Sequence, residues 1–390
     1  MIVRQFISWV RTAPAGERAE ATRALARAWL ISDLTAEDRA AAEGALLMLL
    51  DDASPLVRQA MAEVFASSAE APAVIVQALS LDHPSVALPV LEHSPLLIDA
   101  DLVDIIATGN SETQCAIARR INLPASVGAA IAEVGTAAAA LELIENAYAE
   151  LAPFSWDRIV ERHGHLAAIR ESMLVLEDLP AATRLALVAK LSDTLAKFVV
   201  ARNWLSQDRA VRMAYEARDR STIDIAARLR GEDMAGLVRH LRATGRLTAG
   251  LILRALLSGN LELFDYALSE LSGLPRARVS ALLNGRGGPG VQALLQRAGL
   301  PSSTFAAFRI ALEAAYETGF VDTPAGVAKL RRRMVERVLT HCETDQPSAE
   351  PLLILLRRFA TESAREEARM FCDELIADNA VPIPHELIAA

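Results

Sequence analysis

The amino-acid sequence predicts an all-α protein: an α-solenoid of stacked helix pairs, followed by a C-terminal region of longer helices. Apolar residues make up 52% of the 390 residues and aromatic residues only 5%. Most of the apolar residues are alanine and leucine, which favour helix. Runs of β-branched residues between turn signals, which strands require, are nearly absent. A polar turn followed by a short helix also recurs through the first half of the chain, as in solenoids.

The recurring turns set the period of the predicted repeat. In Leu49–Ala66, Asp52 and Ser54 can cap a helix whose first position is Pro55. Successive turns are 30, 27, 26 and 29 residues apart, marked by Asp52, Asp82, Gly109, Gly135 and Gly164. A period of about 28 residues with two short helices per unit predicts stacked pairs.

A leucine–proline pair begins several other predicted helices. Proline lacks the N–H that a first-turn residue would leave unbonded, so it begins a helix at little cost. The pairs are Leu123-Pro124, Leu179-Pro180, Leu274-Pro275 and Leu300-Pro301. Apolar residues from Leu352 to Leu375 predict a long final helix, and loops are expected at Glu317–Thr323, at Cys342–Glu350 and after Asp378.

The charge distribution suggests two domains. Residues 1–180 contain 12 arginines, no lysine and 25 carboxylates, a net charge of −13, whereas residues 181–390 carry +4. We therefore predict short-helix repeats in residues 1–180 and, in residues 181–390, a helical region that continues or caps the solenoid. An acidic first half repels phosphate backbones, so nucleic acid is an unfavourable ligand there.

The cysteines and the apolar runs predict a cytoplasmic protein. Cys115, Cys342 and Cys372 are scattered and odd in number, which fits a reducing compartment better than a disulfide framework. No signal peptide is recognisable at the N-terminus. Apolar runs such as Leu352–Leu356 are too short to span a bilayer, so no transmembrane segment is expected.

No motif indicates catalysis, a metal or a cofactor. Gly285–Gly290 spells G-x-G-x-x-G, but a helical pattern precedes it where a dinucleotide site needs a strand, so we interpret it as a turn between helices. His163 and His165 lack further ligands at zinc spacing. His341 and Cys342 form an isolated pair without a third catalytic group. We expect neither an enzyme nor a bound cofactor.

Arginines are the candidates for binding a partner. Lys329–Arg337 is a basic predicted helix that suits an acidic protein, phospholipid headgroups or nucleic acid, although a solvated helix face explains it equally well. Arg286 stands beside glycine amides in the turn described above, and Arg119 and Arg120 interrupt the acidic half. The candidate residues are Arg119, Arg120, Arg286, Arg331, Arg332, Arg333 and Arg337.

Two stretches resemble a known family. His93–Arg120, with its Ser94–Leu97 and Asp101-Leu102 core, and Thr248–Pro301 are similar to the alphaproteobacterial domain of unknown function 2336. The resemblance covers roughly residues 40–320 and implies HEAT-like helical repeats. The family carries no activity that the resemblance would transfer to this chain.

These observations favour a non-catalytic scaffold or adaptor that binds one or more protein partners, because solenoids expose extended surfaces. Two alternatives remain open. One is a HEAT-like enzyme acting on nucleic acid, which would need a strongly basic groove. The other is a peripheral membrane protein that uses the basic helix at 329–337. Assembly into a homo-oligomer is a further possibility that the sequence does not decide.

Overall fold

The computed structural model describes residues 8–284, 288–318, 324–345 and 350–379. The chain is 78% helical, so the predicted all-α fold is confirmed, as is the stacking of neighbouring helices. Within the described residues there is no β-strand, and the only bridge is an isolated parallel one between Leu123 and Ala149. The chain divides into two compact units, Met1–Thr194 and Leu195–Ala390.

Between Ala15 and Thr194, the first unit contains eleven complete helices and most of a twelfth. They are α1 (Ala15–Ile31), α2 (Ala36–Leu49), α3 (Pro55–Phe65), α4 (Ala73–Ser80), α5 (Pro84–His93), α6 (Asp99–Thr108), α7 (Ser111–Ala118), α8 (Ala125–Val134), α9 (Ala137–Glu145), α10 (Pro153–His163), α11 (Ala167–Val175) and α12 (Ala181–Ala201). The division into units falls inside α12, and the domain boundary predicted near Pro180 stays a prediction.

The helices of the first unit stack in two layers. In one layer, α1, α3, α5, α7, α9 and α11 pack in succession, and in the other α6, α8 and α10 do so. One continuous apolar core runs between the layers from Ala26 to Leu187. Each repeat buries its apolar face against the next repeat, which is how short helices gain stability that they would lack in isolation.

Helices begin at the predicted turns, although Ser54, at the N-cap position of α3, makes no side-chain capping bond. Pro55 and Pro84 occupy the first positions of α3 and α5. The carboxylate of Asp52 accepts the Ser54 amide at 2.8 Å. All five marker residues directly precede helices of the first layer, and each leucine–proline pair precedes a helix or, at Pro301, a short 3-10 turn. Local capping signals were therefore sufficient to place these helix starts.

Buried ion pairs join the first three repeats. Arg18 of α1 donates two hydrogen bonds of 2.8 Å to Asp52, and Arg58 of α3 donates bonds of 2.5 and 2.8 Å to Asp82. Burial raises the pKa of Asp52, but the bonds from Arg18 and from the Ser54 amide outweigh burial and hold that pKa below its usual range. The bond from Arg58 lowers the pKa of Asp82 in the same way.

In α7, farther along the first unit, Gln114 occupies the helix position that corresponds to those of Arg18 and Arg58. Like Arg18 and Arg58, it is the fourth residue of its helix. Its amide nitrogen donates to the Ile106 carbonyl at 2.9 Å, and its amide oxygen accepts the Thr136 N–H at 2.9 Å. A buried side chain thus ties the end of α6 to the start of α9 and satisfies one orphan group at each.

Side chains also cap helix ends one repeat away. Arg120 donates to the carbonyls of Leu91 and Ser94 at 2.5 and 2.6 Å, at the C-terminal end of α5. Asn146 donates to the Ala118 and Arg120 carbonyls, both at 2.8 Å. Arg162 bonds the carbonyls of Ala132 and Gly135 similarly. Donor and acceptor are 26 to 30 residues apart in each case, which is one repeat.

The second unit contains the remaining helices. They are α13 (Gln207–Ala226), α14 (Gly231–Ala243), α15 (Ala249–Leu257), α16 (Leu261–Ser272), α17 (Arg276–Asn284), α18 (Gly288–Arg297), α19 (Phe305–Thr318), α20 (Pro324–Asp345) and α21 (Glu350–Asn379). A separate apolar core lies between Ile252 and Phe359. The long final helix is confirmed, but two predicted loops were partly wrong, because α19 continues to Thr318 and α20 to Asp345.

The longest helices, α20 and α21, pack as an antiparallel pair. Arg331 and Arg332 of α20 meet Glu366 and Glu367 of α21, whereas Glu343, near the other end of α20, meets Arg357. Rising numbers on one helix oppose falling numbers on the other. Apolar residues at helical spacing, such as Val338 and Leu356, form the seam between them.

The second unit buries one carboxylate. Asp219 of α13 is 9% exposed, and burial raises its pKa to about 6. The charges of Arg254, Arg246 and Arg218 lower that pKa, and Glu216 raises it, but burial dominates. The folded state therefore holds a proton on Asp219 over a pH range in which the unfolded chain has released it.

Arg119 and Arg120 offer a matched test of the inter-repeat caps. We expect Arg120→Ala to lower the free energy of unfolding by about 2 kcal/mol, because two charge-assisted bonds to helix-end carbonyls are lost. Arg119→Ala, which removes an exposed ion pair with Glu142, should cost less than about 1 kcal/mol. Urea unfolding followed by circular dichroism at pH 7 measures both, and equal losses would contradict the capping role.

Asp219 should make stability depend on pH. Because its folded pKa is raised, the contribution of Asp219 to stability falls as the pH rises from about 4 to about 6 and stays low above that. Asp219→Asn should then be more stable than wild type at pH 8, by about 2 kcal/mol, and equal to it near pH 4. Thermal unfolding across this range, with exposed Asp224→Asn as the control, tests the prediction. A constant difference between wild type and Asp219→Asn would show that ionisation is not the cause.

Candidate functional site

A row of exposed apolar side chains follows one edge of the first unit. Ile98, Ile121, Tyr148 and Val175 lie in, or at the start of, the segments that lead from a first-layer helix to the next second-layer helix. Each is between 61% and 80% exposed. The segments are adjacent, because Arg120 and Asn146 bond across them. Water-exposed apolar residues that recur with the repeat are a feature of surfaces that bind partners.

A groove opens between the last two of these segments. It has a volume of about 760 Å³ and is lined by Trp156, Leu151, Val175 and Leu176 among others. Its charged lining residues are the carboxylates Glu145, Glu177 and Asp178, and no arginine or lysine lines it. We call this feature the edge groove. Its chemistry suits a segment that carries apolar and basic side chains.

A second groove, in the second unit, is rich in arginine. It lies between α13 and α21, with Arg254 of α15, and has a volume of about 700 Å³. We call it the arginine groove. Its three carboxylates are Glu216, Glu362 and Glu366. Its six arginines are Arg220, Arg254, Arg357, Arg358, Arg365 and Arg369. The lining therefore carries three more positive charges than negative ones.

Glu362 organises the inner part of the arginine groove. It pairs with Arg254 at 3.0 Å and with Arg220 at 3.5 Å. The guanidinium of Arg254, a residue only 8% exposed, also lies 4.3 Å from the ring centroid of Phe359, a cation–π distance. Burial, an ion pair and an aromatic face together hold Arg254 in one position, so this part of the groove is preorganised.

A small cleft of about 40 Å³ adjoins the arginine groove. Arg220, Arg254 and Glu362 line both, and Arg331 and Ser363 line the cleft as well. The Nε of Arg331 is buried and has no hydrogen-bond partner among the described residues. Such a donor is costly unless an acceptor reaches it. The cleft has room for a water molecule or a small acidic group.

The two candidates Arg119 and Arg120 are adjacent in sequence but differ in setting. Arg119 is exposed and pairs with Glu142 through bonds of 2.9 and 2.5 Å, which lower the pKa of that carboxyl. Arg120 is largely buried against the carbonyls described above, and burial lowers its pKa. Arg120 therefore stabilises the fold, whereas the guanidinium of Arg119 is partly exposed to solvent.

The predicted basic helix lies on α20, where carboxylates engage part of it. Arg331 donates to Glu366 at 2.5 Å, and Arg332 donates to Glu336 and Glu367 at 2.7 and 2.8 Å. These bonds raise the pKa of Arg332 further. Arg333 and Arg337 are exposed. Arg286 and the glycines beside it, 285 and 287, lie outside the described residues.

Sequence reasoning missed the arginines of α21. The segment Leu355–Met370 carries Arg357, Arg358, Arg365 and Arg369 at helical spacing, so a basic face was visible in the sequence. It was hidden by the interleaved Glu362, Glu366 and Glu367, which make the segment nearly neutral overall. Only the packing of α20 shows which of these carboxylates are already engaged.

Two searches of the described residues found neither a metal cluster nor a membrane span. No group of three or more histidine, cysteine, aspartate or glutamate side chains converges there as metal ligands would. In the same part of the chain, no helix combines the length and apolar character needed to cross a bilayer.

Comparison with known proteins gives a family but no activity. None of the curated proteins compared with the chain matches it. No solved structure matches it either. The family model described as "uncharacterised protein conserved in bacteria (DUF2336)" matches residues 86–346, somewhat farther along the chain than the resemblance suggested. Because this match covers more than half of the sequence, the chain belongs to the bacterial family defined by domain of unknown function 2336.

Proposed function

We propose that this protein is a non-catalytic scaffold of HEAT-like repeats that binds a protein partner along the exposed edge of its first unit. The observation that carries the proposal is the row Ile98, Ile121, Tyr148 and Val175, which recurs with the repeat and ends at the edge groove. Contiguous exposed apolar surface in a water-soluble fold is costly unless a partner covers it. A cytoplasmic setting belongs to the proposal and rests on the scattered, odd-numbered cysteines.

The partner segment should combine apolar and basic side chains. Trp156, Leu151 and Leu176 provide an apolar lining, and Glu145, Glu177 and Asp178 surround it with negative charge. Apolar contacts in a groove supply most of the affinity, whereas charges at the rim steer association and make it sensitive to salt. The membrane alternative has weaker support, because carboxylates of α21 and α20 engage Arg331 and Arg332.

Two valine substitutions test the edge groove against a matched control. Val175 and Val134 are both exposed and are both the last residue of a helix, α11 and α8, but only Val175 lines the groove. Affinity purification from the native host with Val175→Asp should recover the partner about tenfold less than wild type does, since a carboxylate would replace an apolar contact. Val134→Asp introduces the same charge with the same helix-end penalty and should recover the partner as wild type does.

Circular dichroism must show that both variants fold. Equal recovery by wild type and Val175→Asp would remove the edge groove from the functional account. Recovery that falls equally in both variants would assign the effect to added charge on the first unit instead of to the groove.

A further inference from the structure

The arginine groove has positive charge that the described residues do not neutralise. Arg358 pairs with Glu216, and Arg357 pairs with Glu343 at 2.8 Å. Arg365 and Arg369, one helical turn apart on α21, are exposed and have no hydrogen bond or ion pair with any other described residue. These two guanidinium groups are therefore available to an anion that enters the groove.

The carboxylates of the groove already form ion pairs with arginines. Glu362 serves both Arg220 and Arg254, so one negative charge is shared by two positive ones. Glu366 is met by Arg331, which reaches it from α20 at 2.5 Å. Each carboxylate that would repel an incoming anion is thus already paired, and the net charge facing the groove stays positive.

The size and lining of the groove favour a peptide over a nucleic acid. A volume of about 700 Å³ suits a short segment of a ligand. Exposed Met213 and Ile354 line it, and they offer contacts to apolar side chains. No aromatic side chain lines it, whereas single-stranded nucleic acids are held by stacking their bases on aromatic rings. Three carboxylates along the lining would also interrupt the track that a phosphate backbone follows.

We propose that the arginine groove binds an acidic peptide segment whose carboxylates pair with Arg365 and Arg369 and whose apolar side chains contact Met213 and Ile354. A carboxylate that enters the adjoining cleft would supply the acceptor that the buried Nε of Arg331 lacks. Arginine suits this role because its planar guanidinium donates two parallel bonds to one carboxylate. The proposal concerns a surface of the second unit and holds whether or not the edge groove binds a partner.

Fluorescence anisotropy with the full chain tests this site. The probe is a fluorescein-labelled peptide of alternating glutamate and leucine, and its counterpart has glutamine in place of glutamate. We expect saturable binding of the glutamate peptide, with at least tenfold weaker binding of the glutamine peptide and an affinity that falls as salt rises. Absence of saturable binding, or equal binding of the two peptides, would overturn the proposal.

Two double variants separate the groove from overall charge. Arg365→Glu/Arg369→Glu reverses the two available arginines and should weaken binding of the glutamate peptide at least tenfold. Arg228→Glu/Arg278→Glu changes the net charge equally at exposed positions of the same unit outside the groove, and its affinity should stay within about twofold of wild type. The milder Arg365→Gln/Arg369→Gln should give an intermediate loss.

Two other results would overturn the proposal. Equal weakening by the two charge-reversed variants would show attraction by overall charge and contradict a specific groove. Tighter binding of a single-stranded oligothymidylate than of the glutamate peptide would assign the groove to nucleic acid instead. Because the side chains of Arg365 and Arg369 form no hydrogen bond or ion pair with other described residues, their replacement should leave the thermal unfolding temperature nearly unchanged, which keeps a loss of binding interpretable.

Discussion

Backbone carbonyls at the ends of short helices are the constraint on which the first unit depends. A helix leaves its last four carbonyls without partners inside the helix. Because α4 and α7 have only eight residues each, half of their carbonyls are in this position. Leaving such a group buried and unbonded costs about 1–3 kcal/mol. Side chains one repeat away, such as Arg120 and Asn146, supply the missing donors, so the same bonds that complete each helix also hold neighbouring repeats in register.

The second unit has longer helices and uses its arginines differently. The 22 residues of α20 and the 30 residues of α21 have few ends relative to their length, so fewer carbonyls need a donor from elsewhere. Their arginines lie along helix faces and meet carboxylates, as Arg332 meets Glu367. Where arginines outnumber carboxylates, as on the side of α21 that faces α13, charge is left over. An abundance of arginine thus stabilises the backbone in one unit and leaves a positively charged groove in the other.

Local signals in the sequence identified most of the fold. Pro55, Pro84 and the residues before each helix act within a few positions, so helix starts and the repeat period followed from the sequence directly. The hydrogen-bond and ion-pair partners of polar side chains could not be inferred in this way. Arg119 and Arg120 are identical, adjacent and directly after α7, yet one side chain is exposed to solvent and the other lies partly buried against carbonyls of the preceding repeat. Such a difference depends on the register between repeats, as does the pairing of Arg331 with Glu366, and neither is encoded in local spacing.

The inter-repeat bonds bear on how such a chain can change in evolution. Arg18–Asp52 and Arg58–Asp82 join side chain to side chain, Gln114 joins one backbone group to another, and Arg120 joins a side chain to carbonyls. Neighbouring repeats are therefore not all joined by the same kind of connector. Deleting one internal repeat between different connectors would bring together side chains that do not match. Hydrogen-bond donors on one side of the new junction and acceptors on the other side would then have no partner. The array is modular in outline but its repeats are not interchangeable, so we expect a gain or loss of repeats to be tolerated better at its ends than in its interior.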